Sequence, residues 1–193
     1  MGKEESLVKV VCHMRQVRQK MESNKTDKQL LLAVKKANKT SDYFNIIKLK
    51  ELLSSSKPSA RLFALEIIRN QIKKSNLKKS YYSLSKRLIE DSDNNCRWQS
   101  LIIIGEYLDK YPDDIFKIII RYGLSEDEDM RTAIAKILLE HLLEKYFEKY
   151  FSLYKNISRS NSYLLDTLSR CWVNGFDSKE QKKIETYLRS IDK

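Results

Sequence analysis

The feature that most constrains this chain is an arginine that recurs at near-constant spacing at the head of an apolar run. In Asp127–Glu140, DEDMRTAIAKILLE, an acid is followed four residues later by Arg131 and then by apolar residues at helical spacing. The same arrangement occurs upstream as Asp93, Arg97, Ser100, Leu101 and Ile104. A weaker copy runs Arg61, Ala64, Leu65 and Ile68, with Lys57 where the acid would stand. The three arginines lie 36 and 34 residues apart. A period of that length predicts stacked helix pairs, each too small to bury its apolar face alone.

Turn residues agree with that reading. Four glycines and two prolines in 193 residues are too few for a β-sandwich or barrel and predict long helices with short connections. A 33% share of charged residues against 41% apolar ones suits a globular chain and argues against disorder. No apolar run approaches the roughly 18–20 residues that span a bilayer, and the N-terminus carries acids where a secretory signal would be basic. The expected compartment is the cytoplasm, with no membrane partner. Cys12, Cys96 and Cys171 are scattered, and none sits in a CxxC, so they read as reduced and mostly buried thiols.

In chain order, apolar periodicity predicts helices over 4–22, from 26 to 37, from 41 to about 54, and over 58–74, 77–90 and 94–110. Pro112 starts a short helix to 122, with Gly123 read as its C-terminal cap. Another helix runs from 125 to about 144. Residues 145–156 either continue it or bend into a new helix, and the last helices are 162–174 and 177–191. Thr26 with Gln29, Ser125 with Glu128, and Asp177 with Glu180 read as capping boxes. The second helices of the pairs then begin near 26, 59, 94, 127 and 161. No linker is long enough to divide the chain, so 1–193 is expected to form one domain.

An acid in the turn, an arginine early in the second helix and then small and branched apolar residues resemble the HEAT-type repeats of the armadillo-like α-solenoids. The resemblance covers about 55–160. It implies an all-α, right-handed solenoid of about five helix pairs plus a C-terminal capping helix. It also implies that the turn acid and the arginine tie neighbouring repeats, which would make Asp93, Arg97, Asp127 and Arg131 structural residues.

A search for chemistry returns little. His13 and His141 have no convincing partner at metal-ligand or catalytic spacing, and adjacent Cys12 and His13 point about 100° apart on a helix. There is no Gly-rich phosphate loop and no GxSxG, HExxH or EF-hand pattern. Some DNA alkylation-repair glycosylases are built of HEAT-like repeats and present a Trp and an Asp one turn apart. Here Trp98 is followed four residues on by Ile102, and Trp172 by Phe176. No catalytic residue, metal or cofactor is expected, and a glycosylase stands a distant third among the readings.

The partner signal is charge. Residues 1–90 hold 21 Lys and Arg against 8 Asp and Glu, whereas 91–193 hold 16 against 18. The segment from Arg69 to Arg87 has seven cations, Tyr81 and Tyr82, and no acid. This composition suits an acidic protein surface, and phosphates with stacked bases would suit it too. The leading expectation is a non-enzymatic adaptor or regulatory subunit that docks a protein on a concave, N-terminally basic face. Nucleic-acid binding is the second. The residues expected to carry either are Lys28, Lys35, Lys36, Arg69, Lys73, Lys74, Lys78 and Lys79. On the 127–144 helix the outward positions would be Lys136, Glu140 and Glu144.

Overall fold

Pro58 opens a helix well because its fixed φ suits the first turn and its missing N–H is not needed there. In the computed structural model that helix is α2, Pro58–Lys73, preceded by α1, Ile46–Leu53. The structure describes residues 46–73, 77–171 and 175–191. The expected helices over 4–22 and 26–37, the Thr26 capping box, Lys28, Lys35, Lys36, Lys74, Cys12, His13 and Trp172 lie outside those residues. Within them every regular element is helical and no strand occurs, so the all-α expectation stands. The described residues fall into two compact units, one ending at Glu106 and one beginning at Tyr107.

In the first unit α3, Lys79–Lys86, and α4, Asn94–Gly105, complete the set. The α2 helix packs on both α1 and α4, and α3 packs on α4. Leu65, Ile68, Leu101 and Ile104 are fully buried at the centre, with Leu49 from α1 and Ile89 from the turn after α3. Helices α3 and α4 end several residues before the expected 90 and 110. Arg87 and Leu88 donate to carbonyls three residues back, and so does Lys110, so each end tightens into turns rather than continuing.

The second unit contains α5, Pro112–Gly123, and α6, Glu128–Ala133. A π-helical stretch, Ile134–Leu139, leads into α7, Glu140–Ser158, followed by α8, Ser162–Ser169, and α9, Ser178–Arg189. The organising helix of the sequence is thus α6, the π stretch and the start of α7 in one run. Its N-cap is Asp127, whose carboxylate accepts from the Asp129 and Met130 amides, and Ser125 instead accepts from the Asp127 amide. The N-cap therefore stands two residues after Ser125, and with Met130 at the third helical position it is a single cap rather than a box. The Asp177–Glu180 box is present with both of its bonds.

The π stretch changes which residues face inward. One extra residue per turn rotates the downstream residues by about a quarter turn relative to a regular helix. Glu140, expected outside, is buried, and Lys136 and Glu144 are half-buried. At Tyr146 the backbone leaves helical geometry (φ −137°, ψ 41°), so residues 147–158 bend into a new direction rather than extend the same helix. Lys145 and Tyr146 both donate to Asp109, and Lys149 and Tyr150 both donate to Asp113, which ties each side of the bend to α5 or the turn before it. Beyond the bend Phe147, Phe151, Phe176 and Tyr187 form a ring cluster with centroids 4.7–6.0 Å apart.

Gly123 is not the cap that its place suggested. It lies inside α5, and the C-cap is Leu124 in right-handed conformation. Helix α8 approaches closely at this glycine. A Cβ would stand 3.0 Å from Leu164 Cδ2, and Thr167 Oγ1 donates to the Gly123 carbonyl at 3.0 Å.

Candidate interaction surface

Helix α3 sorts its residues cleanly. Tyr81, Tyr82, Leu84 and Ser85 are buried, while Lys79, Ser83 and Arg87 are exposed and Lys86 is half-exposed. Positions 79, 83, 86 and 87 fall at i, i+4, i+7 and i+8, which is one stripe of a helix. Exposed Lys78 stands at its N-cap and exposed Lys73 ends α2. No acid occurs between Glu66 and Glu90, so the stripe is uniformly basic with one hydroxyl at its middle.

The two tyrosines are only 5% exposed each, which removes them as stacking platforms for bases. Burial also pushes the Tyr81 phenol above its ordinary pKa. Their rings instead support the stripe from below, with Lys78 Nζ 5.8 Å from the Tyr81 centroid and Lys86 Nζ 5.4 Å from that of Tyr82. Of the expected surface residues, Lys73, Lys78 and Lys79 are exposed, whereas Arg69 is half-buried. The described basic field thus centres on α3, with Lys73 the exposed cation at the end of α2.

Two of the three repeated arginines share one pattern of bonds. Arg61, from the copy that lacks the turn acid, is 8% exposed and grips Asp91 with both Nε and Nη2 at 2.7 Å. Its Nη1 donates to the Ser55 carbonyl at 2.8 Å. Arg131 repeats the pattern: Nε donates to Asp166 at 2.6 Å and Nη1 to the Ser125 and Glu126 carbonyls. Each arginine therefore joins the turn before its own helix to an acid 30 or 35 residues further on. Arg97 reaches back to Asn94 on its own helix at 2.6 Å. Asp93 and Asp127, the acids four residues before Arg97 and Arg131, cap their helices by accepting from backbone amides.

Charge follows from this geometry. The bond to Asp91 raises the Arg61 pKa above its ordinary value despite partial burial. Partial burial alone would push Asp166 upward. The bonds and charges of Arg170 and Arg131 outweigh it and hold this carboxyl below its usual range. Arg170 extends the group to Glu128 and to the Thr132 hydroxyl. Asp91, Asp166 and Arg170 carry no mark in the short arginine pattern. The signal that could have found the two acids is their distance from an arginine, close to the repeat length.

Other chemistry is thin. Cys96 and Cys171 are buried free thiols. Burial, helped by nearby Asp91 and Asp93, pushes Cys96 up to about 12, so it is not a thiolate at neutral pH. Against expectation a carboxylate–histidine contact exists, His141 Nδ1 to Glu144 Oε2 at 3.1 Å, between exposed and half-buried neighbours one turn apart. Cys171, in the same unit, has its thiol on the Ala135 and Thr167 carbonyls instead. Among the described residues there is no group of three potential metal ligands and no helix long and apolar enough to cross a membrane. Comparison with protein-family models, curated proteins and solved structures returns no match.

Proposed function

We propose that this chain is a non-enzymatic, HEAT-like interaction module that docks an acidic protein through the exposed face of α3 and the adjoining end of α2. The observation that carries the reading is the acid-free stripe Lys79, Ser83, Lys86 and Arg87, set on a scaffold of buried tyrosines. The stacked-pair part of the reading is supported by Arg61 and Arg131, which reach from one helix pair to an acid about one repeat away. Without an exposed aromatic between the lysines, single-stranded bases lose the stacking that usually accompanies such a groove.

The test compares polyglutamate with a generic DNA duplex, using the full chain and its Lys79→Glu, Arg87→Glu variant across a salt series. Polyglutamate binding that weakens with salt and is lost in the variant is expected. Tight duplex binding lost in the same variant, with no polyglutamate binding, would move the function to nucleic acid.

A further inference from the structure

The α3 face has relief as well as charge. Long cationic side chains stand at two stations, Lys79 and the Lys86–Arg87 pair, with the short Ser83 exposed between them. Seven residues of helix separate the stations, about 10 Å along the axis. Lys79 and Arg87 are exposed, and Lys86 Nζ lies 5.4 Å from the centroid of the Tyr82 ring beneath it, so long cationic side chains flank the short Ser83 on both sides. The face is therefore a shallow saddle with a positive post at each end.

Resting on the docking reading above, we infer that the occupant is an acidic α-helix laid along α3. Its contact stripe carries carboxylates at i and i+7 and an apolar side chain at i+3 or i+4 seated over Ser83. A helix repeats its face every seven residues at about 10 Å, so both carboxylates meet their stations while the middle residue points into the saddle. An extended segment serves this face less well. Its same-side residues recur in steps of about 6.7 Å, and a residue three along, at about 10 Å, points away. A flat polyanion leaves the saddle empty. The partner class is thus a protein helix with an acid–apolar–acid stripe.

The experiment uses the full chain and two helix-forming peptides of identical composition, each about 20 residues long, above the length at which isolated helices are marginal. One carries glutamates at i and i+7 flanking a leucine at i+4, and the other distributes the same residues around the helix. Fluorescence anisotropy at low salt is expected to favour the striped peptide by about tenfold, two exposed ion pairs each contributing about threefold. Ser83→Phe fills the saddle without altering charge, holds the facing helix off both stations, and is expected to erase that preference while the longer, flexible polyglutamate still binds. Lys79→Glu is expected to weaken the striped peptide, and restoring a lysine at the facing glutamate is expected to recover it.

Equal affinity for the two peptides overturns the helical inference and leaves acidic docking intact. Preference unchanged by Ser83→Phe overturns the seating of the apolar residue and with it the inference. Failure of both peptides and of polyglutamate, with duplex DNA bound instead, overturns the docking reading as well.

Discussion

Arg61→Ala tests whether the repeated arginine is a structural clamp. The substitution removes two bonds of 2.7 Å to Asp91 and one of 2.8 Å to the Ser55 carbonyl. It leaves the Asp91 side chain, 5% exposed, held by the Asp93 amide at 2.9 Å. Stranding one partner of a buried ion pair costs about 3–5 kcal/mol, and two carboxylate oxygens this enclosed place Arg61→Ala within that range. Arg61→Lys keeps the charge but offers a point donor in place of the fork, so a loss of about 1–3 kcal/mol is expected. Removing both charges, as in Arg61→Met with Asp91→Leu, takes away the stranded carboxylate and is expected to cost less than Arg61→Ala alone. Urea unfolding followed by circular dichroism reads these as midpoint shifts. With a slope of about 1–3 kcal/mol/M, Arg61→Ala moves the midpoint down by about 1 M or more. An Arg61→Ala loss under about 1 kcal/mol, or a double variant as costly as the sum of its singles, would refute the clamp.

Three further outcomes rest on particular atoms. Because the Asp166 carboxyl is held below its usual range, its contribution is present above the ordinary carboxylate pKa of about 3.9 and lost as pH falls through the lower folded value. Melting temperatures from pH 6 to 2 should therefore fall less steeply at the acid end in Asp166→Asn than in the parent, and identical acid limbs would contradict the assignment. The Ser85 hydroxyl is buried with no hydrogen-bond partner among the described residues, so Ser85→Ala should leave stability unchanged or raise it by about 1 kcal/mol, and a clear loss in urea would count against the burial. Gly123→Ala places a methyl 3.0 Å from Leu164 Cδ2, so it should gain less than the about 0.5–1 kcal/mol that alanine usually brings to a helix, and should gain more of it in a Leu164→Ala background. The same gain in both backgrounds would show that α8 does not crowd this position.

Helix existence was legible because it is written locally. Pro58, Pro112 and Asp177 mark starts through chemistry that acts within one turn, and the apolar stripes need only a period near 3.6. The bend at Tyr146 lies within the alternatives that the aromatic run leaves open, since such a run suits a straight helix or a turned one equally. The π stretch was not legible. Apart from Lys136, Ile134–Leu139 is apolar sequence, and nothing in it tells a regular turn from a widened one. That single irregularity sends Glu140 inward, so a face drawn from ideal periodicity fails just beyond it.

The clamps show why a local motif misplaced its own partners. A carboxylate four residues before an arginine looks like its mate, but at a helix start it has nearer donors in the exposed amides of the first turn. Asp93 and Asp127 accept from those amides. An arginine in the same turn must therefore find its carboxylate elsewhere, and in a chain whose pattern recurs every 34–36 residues a later helix or turn brings one alongside. Arg61 finds Asp91 and Arg131 finds Asp166, at separations close to the repeat rather than to a helical turn. Lys57 in place of the acid consequently says nothing against Arg61 as a clamp, because the missing acid would have been a cap. Two different requirements, a capped start and a bridged neighbour, were superimposed in one short pattern, and only the longer spacing separates them.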